Sequence, residues 1–106
     1  ISRVQDIRSI TLHDFIDRFG YKLNLSDIDI SHIKNIADIC IELNIINDNT
    51  PPSMASGCIY LYIKYKQLDI SKKNIGEVCK ISEVTINKCS KKIEGDPLIK
   101  EYLLLL

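Results

Sequence analysis

Residues 75–89 read Ile75-Gly76-Glu77-Val78-Cys79-Lys80-Ile81-Ser82-Glu83-Val84-Thr85-Ile86-Asn87-Lys88-Cys89, and this stretch decides the fold. Two short helices joined by a tight turn need a small residue where they cross, and Gly76 supplies it. They also need apolar residues flanking the turn, where Cys79 and Ile81 fit. Ile86, Cys89 and Ile93 follow at i, i+3 and i+7, one stripe of a helix. That stripe is expected to be buried, which leaves Val84, Thr85, Asn87, Lys88 and Lys91 facing outward. Ser71 and Ser82 stand where N-capping hydroxyls belong, so the spacing predicts a short helix to about Cys79 and another to about Glu94. Gly95 and Pro97 then end the second. A helix-turn-helix places its second helix in the major groove of DNA; the same pattern also fits two helices that complete a bundle and leave their lysines in water. Lys80 stands where such turns often hold glycine, so it is either left-handed or the turn differs.

Upstream, Thr50-Pro51 is a helix start, a capping hydroxyl followed by proline at the first helical position. The run from Met54 to Ile63 behind it is apolar nearly all round, so the helix Pro51–Lys66 is expected to be central and enclosed. Ala55, Ser56, Gly57 and Cys58 would let its neighbours approach closely. A strand over residues 58–63 is the alternative reading, given the β-branched residues there. An earlier helix is expected from a cap at Thr11, with Asp14 in its first turn. It would present Leu12, Phe15, Ile16, Phe19 and Leu23 on one face, and Gly20 would weaken its last turn. Another is expected from Ser26-Asp27 through Ile30, Ile33, Ile36, Ala37, Cys40 and Leu43, stopping at Asn47-Asp48-Asn49. Five helices and no strands make an all-α domain over residues 9–94, with the helix-turn-helix at about 71–94. Residues 1–8 read as a linker or the end of a preceding repeat, and 95–106 as a C-terminal extension whose folding back as a last helix is favoured over a free tail.

A chain of 106 residues suits one domain. No apolar run approaches the roughly 18 residues of a membrane span, and Leu103–Leu106 is far too short. The first residue is Ile rather than Met and no secretory signal follows it, so the chain is expected to be a fragment of a longer intracellular polypeptide. Cys40, Cys58, Cys79 and Cys89 are never closer than ten positions, and His13 and His32 stand alone. Zinc sites show closer pairs, so the cysteines are expected to be reduced and buried, with no metal or other cofactor in this fragment. His13 and Asp14 are sequence neighbours, which on a helix point apart and make a poor acid–base pair; His13 is expected at the surface. With no nucleophile motif and no phosphate-cradling glycine loop, the chain is not read as an enzyme and no small-molecule substrate is expected. The net charge is zero, yet residues 71–92 hold Lys72, Lys73, Lys80, Lys88, Lys91 and Lys92 against Glu77 and Glu83, a local balance of +4 that leaves −4 elsewhere. One basic face on an otherwise acidic body is implied.

Three stretches together resemble the second cyclin-like repeat of transcription factor IIB, including the archaeal form, over roughly residues 9–94. Residues 10–19 (ITLHDFIDRF) resemble the family's opening helix. Residues 50–60 (TPPSMASGCIY) resemble its central S/T-P-x-S-x-A-x-A-x-I-Y helix. Residues 75–86 (IGEVCKISEVTI) are similar to its I-G-[DE]-[IV]-A-G-V-[AS]-[DE]-V-T-I helix-turn-helix. The resemblance implies a general transcription initiation factor that binds promoter DNA with the TATA-binding protein and helps recruit RNA polymerase, in a nucleus, or in cytoplasm or a viral factory. It also implies that Val84 and Asn87 match the base-reading positions. The family commonly has Arg at the second, which reads guanine; Asn87 would sooner pair with adenine. Lys72, Lys73, Ser82, Thr85, Lys88 and Lys91 complete the expected DNA-binding set. The family's zinc ribbon and first repeat are not visible here, and polymerase III factors of the Brf type share the repeat. The 20 Ile, 11 Lys and 7 Asn are typical of AT-rich genomes, such as a large DNA virus or an AT-rich protist. The competing reading is a cyclin-like protein-interaction domain without direct DNA contact. Exposed lysines and small polar groups over residues 82–92 favour DNA, whereas exposed leucines or aromatics there would favour protein.

Overall fold

The computed structural model describes residues 7–45 and 50–106. Six α-helices follow in order: α1 (Ile7–Lys22), α2 (Asp27–Glu42), α3 (Pro51–Lys66), α4 (Lys72–Cys79), α5 (Glu83–Glu94) and α6 (Pro97–Leu105). The described residues contain no strand, so residues 58–63 are helical. Five of these helices lie up to Glu94, and the sixth is the C-terminal extension folded back, started by Asp96-Pro97 just after the Gly95 stop. The Asp96 carboxylate accepts from the Leu98 N–H at 2.9 Å, and Pro97 fills the first helical position. Ile99 and Leu103 of α6 then enter the core.

α3 is the axis around which the rest packs. Ten of its sixteen residues are buried, Ile59 completely and Ile63 to 3% exposure. α1, α2, α4 and α5 all pack against it. Burying a helix all round leaves its polar side chains no water, and Ser56 answers by donating to the Ser53 carbonyl at 2.7 Å. Where α5 crosses, Gly57 meets Cys89 so closely that an added Cβ would lie 2.6 Å from the Cys89 Cβ. Gly20 plays the same part between α1 and α2, where an added Cβ would lie 2.8 Å from Ile30 Cγ1.

Two boundaries differ from the sequence reading. α1 is described from Ile7, so Thr11 lies inside it rather than at its start. No proline or glycine stands upstream to break the helix, and Asp14, displaced from the first turn, instead takes Arg18 at 2.7 Å. α2 ends at Glu42 and leaves Leu43 39% exposed, while Ile41 is buried in its place; the stop expected at 47–49 lies outside the described residues. Ser26 caps α2 as expected, and Asp29 completes a reciprocal capping box with it.

Four helices end on the same device without a glycine. Asn24, Asn44, Gln67 and Lys80 have φ of 61°, 54°, 55° and 57°. The following residue in each case donates to the carbonyl five positions back: Leu25 to Gly20, Ile45 to Cys40, Leu68 to Ile63 and Ile81 to Gly76. This is the Schellman closure, and in each pair the following residue is apolar, folding the chain back onto the core. Polar side chains then tie the layers together. His13 is half-buried rather than at the surface, its Nε2 2.8 Å from Asp38 on α2, and Lys34 reaches Asp17 at 2.7 Å. The Tyr102 hydroxyl on α6 accepts from Asn35 at 3.0 Å and meets His32 at 3.2 Å, which fastens α6 to α2.

Candidate functional site

The paired helices α4 and α5 are built as their caps require. Ser71 accepts from Asn74 N–H at 3.0 Å and Ser82 from Thr85 N–H at 3.2 Å. Between them the chain turns on Lys80 and Ile81. Lys80 takes the left-handed conformation, φ 57° and ψ 40°, which settles the open reading of that turn. Gly76 sits against it, and a Cβ there would come within 3.0 Å of the Ile81 carbonyl oxygen. Cys79 is buried, whereas Ile81 is only half-buried.

α5 divides cleanly. Ile86, Cys89 and Ile93 are 0%, 1% and 0% exposed, with Ser90 buried beside them. On the opposite side Val84, Lys88 and Lys91 stand at i, i+4 and i+7, one line along the helix, and all three are exposed. Val84 is 64% exposed. Asn87 flanks that line, half-buried, with its main-chain carbonyl accepting from the Ser90 hydroxyl at 3.0 Å. Among the described residues neither Lys88 nor Lys91 enters a salt bridge, so their charges are unneutralised by the protein.

The remaining expected residues are less available. The Ser82 hydroxyl donates to Thr85 Oγ1 at 2.9 Å while accepting the Thr85 N–H, and Thr85 is half-buried. Their role in this geometry is to fix the start of α5. Lys72 is half-buried with its ammonium 5.5 Å from the centre of the Tyr60 ring, a cation–π contact that holds it against α3. Lys73 is exposed at the start of α4. Lys22, at the end of α1, acts with its charge on the Cys79 thiol, since α1 packs against α4. That influence is tertiary and leaves no local sequence signal.

All four cysteines are free and buried. Burial pushes Cys79 up to about 12 against the pull of Lys22, and a hydrogen bond with Cys40 together with burial raises Cys58 well above its ordinary value. Such thiols stay protonated and unreactive at neutral pH. Among the described residues no group of three or more His, Cys, Asp or Glu could hold a metal ion, and no helix is long and apolar enough to cross a membrane.

Fold and face together define a helical module that packs around one buried helix and presents another with an exposed, partly basic side. The chain belongs to the transcription factor TFIIB repeat family, whose model matches residues 6–95. It is 30% identical over 87 residues to a transcription initiation factor IIB-like protein of Acanthamoeba polyphaga mimivirus, a match covering 82% of this chain and 19% of that protein. It is also 30% identical over 82 residues to the transcription initiation factor IIB of Drosophila virilis and of Drosophila melanogaster. Those matches cover 77% of this chain and 28% and 26% of the two fly proteins. The chain thus spans between a fifth and little more than a quarter of the length of these relatives. All three relatives bear the names of transcription initiation factors IIB or IIB-like proteins.

Proposed function

We propose that this chain is the DNA-engaging module of a general transcription initiation factor, binding promoter DNA together with the TATA-binding protein and helping to recruit RNA polymerase. In this reading α1–α5, about residues 9–94, form a cyclin-like repeat; α4 and α5 are its helix-turn-helix; and residues 95–106 are an extension. The module acts wherever its promoters are, in a nucleus or a viral factory. The observation that carries the reading is the exposed line Val84–Lys88–Lys91, with Asn87 beside it, on a helix whose opposite side is wholly buried. A helix so divided can enter a major groove without unfolding anything, and unpaired ammonium groups at its edges can meet phosphates. Asn87 would then pair with a base, best with adenine, and Val84 with a thymine methyl. Lys73 and Lys72 would approach the backbone from α4, Lys72 after leaving Tyr60. Ser82 and Thr85 would contribute chiefly by setting the helix start.

The test uses the full reading frame, with whatever precedes residue 1 restored, in gel shifts on promoter duplexes with and without the TATA-binding protein. Binding should tighten when that protein is present. Lys88→Ala should weaken all sequences alike and flatten the dependence of log affinity on log salt by about 0.9. Asn87→Ala should lose about 1–3 kcal/mol only on duplexes carrying its preferred base. A wild-type salt slope in Lys88→Ala, or equal losses on all duplexes in Asn87→Ala, removes α5 from the groove.

One observation favours a second reading. Leu43, Leu98 and Leu105 are exposed around a groove of about 350 Å³ between α2 and α6, floored by Ile39 and Tyr102. Exposed apolar surface of this kind suits a protein partner, and a purely protein-binding module would show no salt-dependent affinity for DNA at all.

A further inference from the structure

We propose that Lys80, the turn residue between α4 and α5, is a phosphate-contacting residue of the DNA interface and sets part of its affinity. The inference rests on the promoter-DNA reading above and extends it to a position outside the two helices. Lys80 has φ 57° and ψ 40°, a backbone region that glycine enters freely and L side chains rarely adopt. Strain alone does not single it out, because Gln67 closes α3 in the same conformation. Charge and place do. The Lys80 side chain is exposed and, among the described residues, makes no hydrogen bond or salt bridge, although Glu77 and Glu83 lie three positions to either side. The helix-closing bonds of Lys80 and Ile81 to the Gly76 carbonyl hold the backbone there, and the side chain itself has no partner in the fold.

Lys80 stands two residues ahead of the Ser82 cap, at the N-terminal end of α5. A recognition helix enters the groove with its N-terminal residues toward the base edges, so the turn immediately before it rides at the groove wall, where the phosphates are. The flexible lysine stem carries its ammonium away from the backbone and toward that wall.

The experiment compares Lys80→Gly, Lys80→Arg and Lys88→Ala in the full reading frame, with the TATA-binding protein present, titrating one promoter duplex at several salt concentrations. Glycine at position 80 removes the charge and relaxes the backbone together, so its two readouts should move in opposite directions. The melting temperature of Lys80→Gly should rise. Its salt slope should fall by about 0.9, so that the wild-type advantage in affinity shrinks by about 3.5-fold between 50 and 200 mM salt. Lys80→Arg should keep the wild-type slope. If Lys80→Gly keeps that slope while Lys88→Ala flattens it, the assignment of Lys80 is overturned and the DNA reading stands. If neither substitution changes the slope, the DNA reading fails and this assignment fails with it.

Discussion

Replacing Gly57 with alanine tests the architecture at its tightest point. A methyl group there would lie 2.6 Å from the Cys89 Cβ, 3.3 Å from the Ser90 amide nitrogen and 3.4 Å from the Cys89 carbonyl carbon. Carbon atoms settle at about 3.5–4.0 Å, so α3 and α5 would have to separate by about 1 Å. The obstacle is helix backbone and its Cβ, which no side-chain rotation relieves. Overpacking of this kind costs about 1–3 kcal/mol, and three close contacts with main-chain or Cβ atoms put this case near the upper end. Alanine returns up to about 1 kcal/mol through its better helix propensity. The net expectation is a loss of about 2 kcal/mol, which for a domain near 100 residues lowers the melting temperature by about 8–16 °C. Gly95→Ala is the internal control. Its Cβ would meet only carbonyl oxygens at 3.5 Å, and its φ of −66° suits any residue, so it should be neutral or stabilise by up to about 1 kcal/mol. Both variants are compared with the wild type by thermal and urea denaturation. The double variant Gly57→Ala with Cys89→Gly should recover part of the loss, whereas Cys89→Ala, which keeps the offending Cβ, should recover none. A melting temperature for Gly57→Ala at or above wild type would refute the close-crossing argument.

Two further outcomes follow from named contacts. Gly20→Ala should cost less than Gly57→Ala, about 1 kcal/mol, because the atoms in its way are Ile30 Cγ1 and Cδ1, a side chain that can turn aside; a loss equal to that of Gly57→Ala in the same urea series would contradict this. Asp29 is pushed up by burial, but hydrogen bonds from Tyr62 at 2.5 Å and from the Ser26 side chain and backbone bring it below its ordinary 3.8. A carboxyl lowered in the folded state contributes stability above its unfolded value and loses it as pH falls through the folded one. The urea midpoint should therefore hold from pH 7 to 5 and decline below about pH 4, and Asp29→Asn should lessen that decline; an unchanged acid limb in Asp29→Asn would show that the capping box is not its source.

The sequence makes the middle of the molecule legible because its signals there are local. Thr50-Pro51, Ser71 and Ser82 each mark a helix start within two residues, and the stripe Ile86, Cys89, Ile93 announces the buried side of α5. Where punctuation is absent the reading slips. Nothing near Thr11 breaks a helix, so α1 runs back to Ile7. The helix stops at Asn24, Asn44, Gln67 and Lys80 carry no glycine, and their left-handed backbone is held by bonds from the next residue to the carbonyl five positions before it. α6 had a signal in Asp96-Pro97, an N-cap followed by proline, but the same residues also spell a stop. For the candidate site, the exposed line on α5 is a matter of helical period and could be read directly. The pairing of Ser82 with Thr85 is a choice of rotamer, and the seat of Lys72 on Tyr60 and the influence of Lys22 on Cys79 are tertiary. None of the three has a period to reveal it.

The two sides of α5 are bound to different fates, and Gly57 is the reason. α3 lends no exposed face of its own along its buried run, so any surface built over it has to be presented by a helix lying upon it. The missing Cβ at Gly57 lets α5 lie down at the distance where Ile86, Cys89 and Ile93 are sealed and Val84, Lys88 and Lys91 are not. Substitutions on the outward line touch no packed neighbour, so each should change stability by no more than about 0.5 kcal/mol while altering whatever α5 binds. Substitutions on the inward stripe open cavities of the kind that cost about 2–5 kcal/mol for Ile→Ala, and they should disturb stability and binding together. Because α5 is held as a rigid body against α3, a loss of binding in Lys88→Ala with an unaltered melting temperature reports on the partner alone. The same loss in Ile86→Ala reports on the platform.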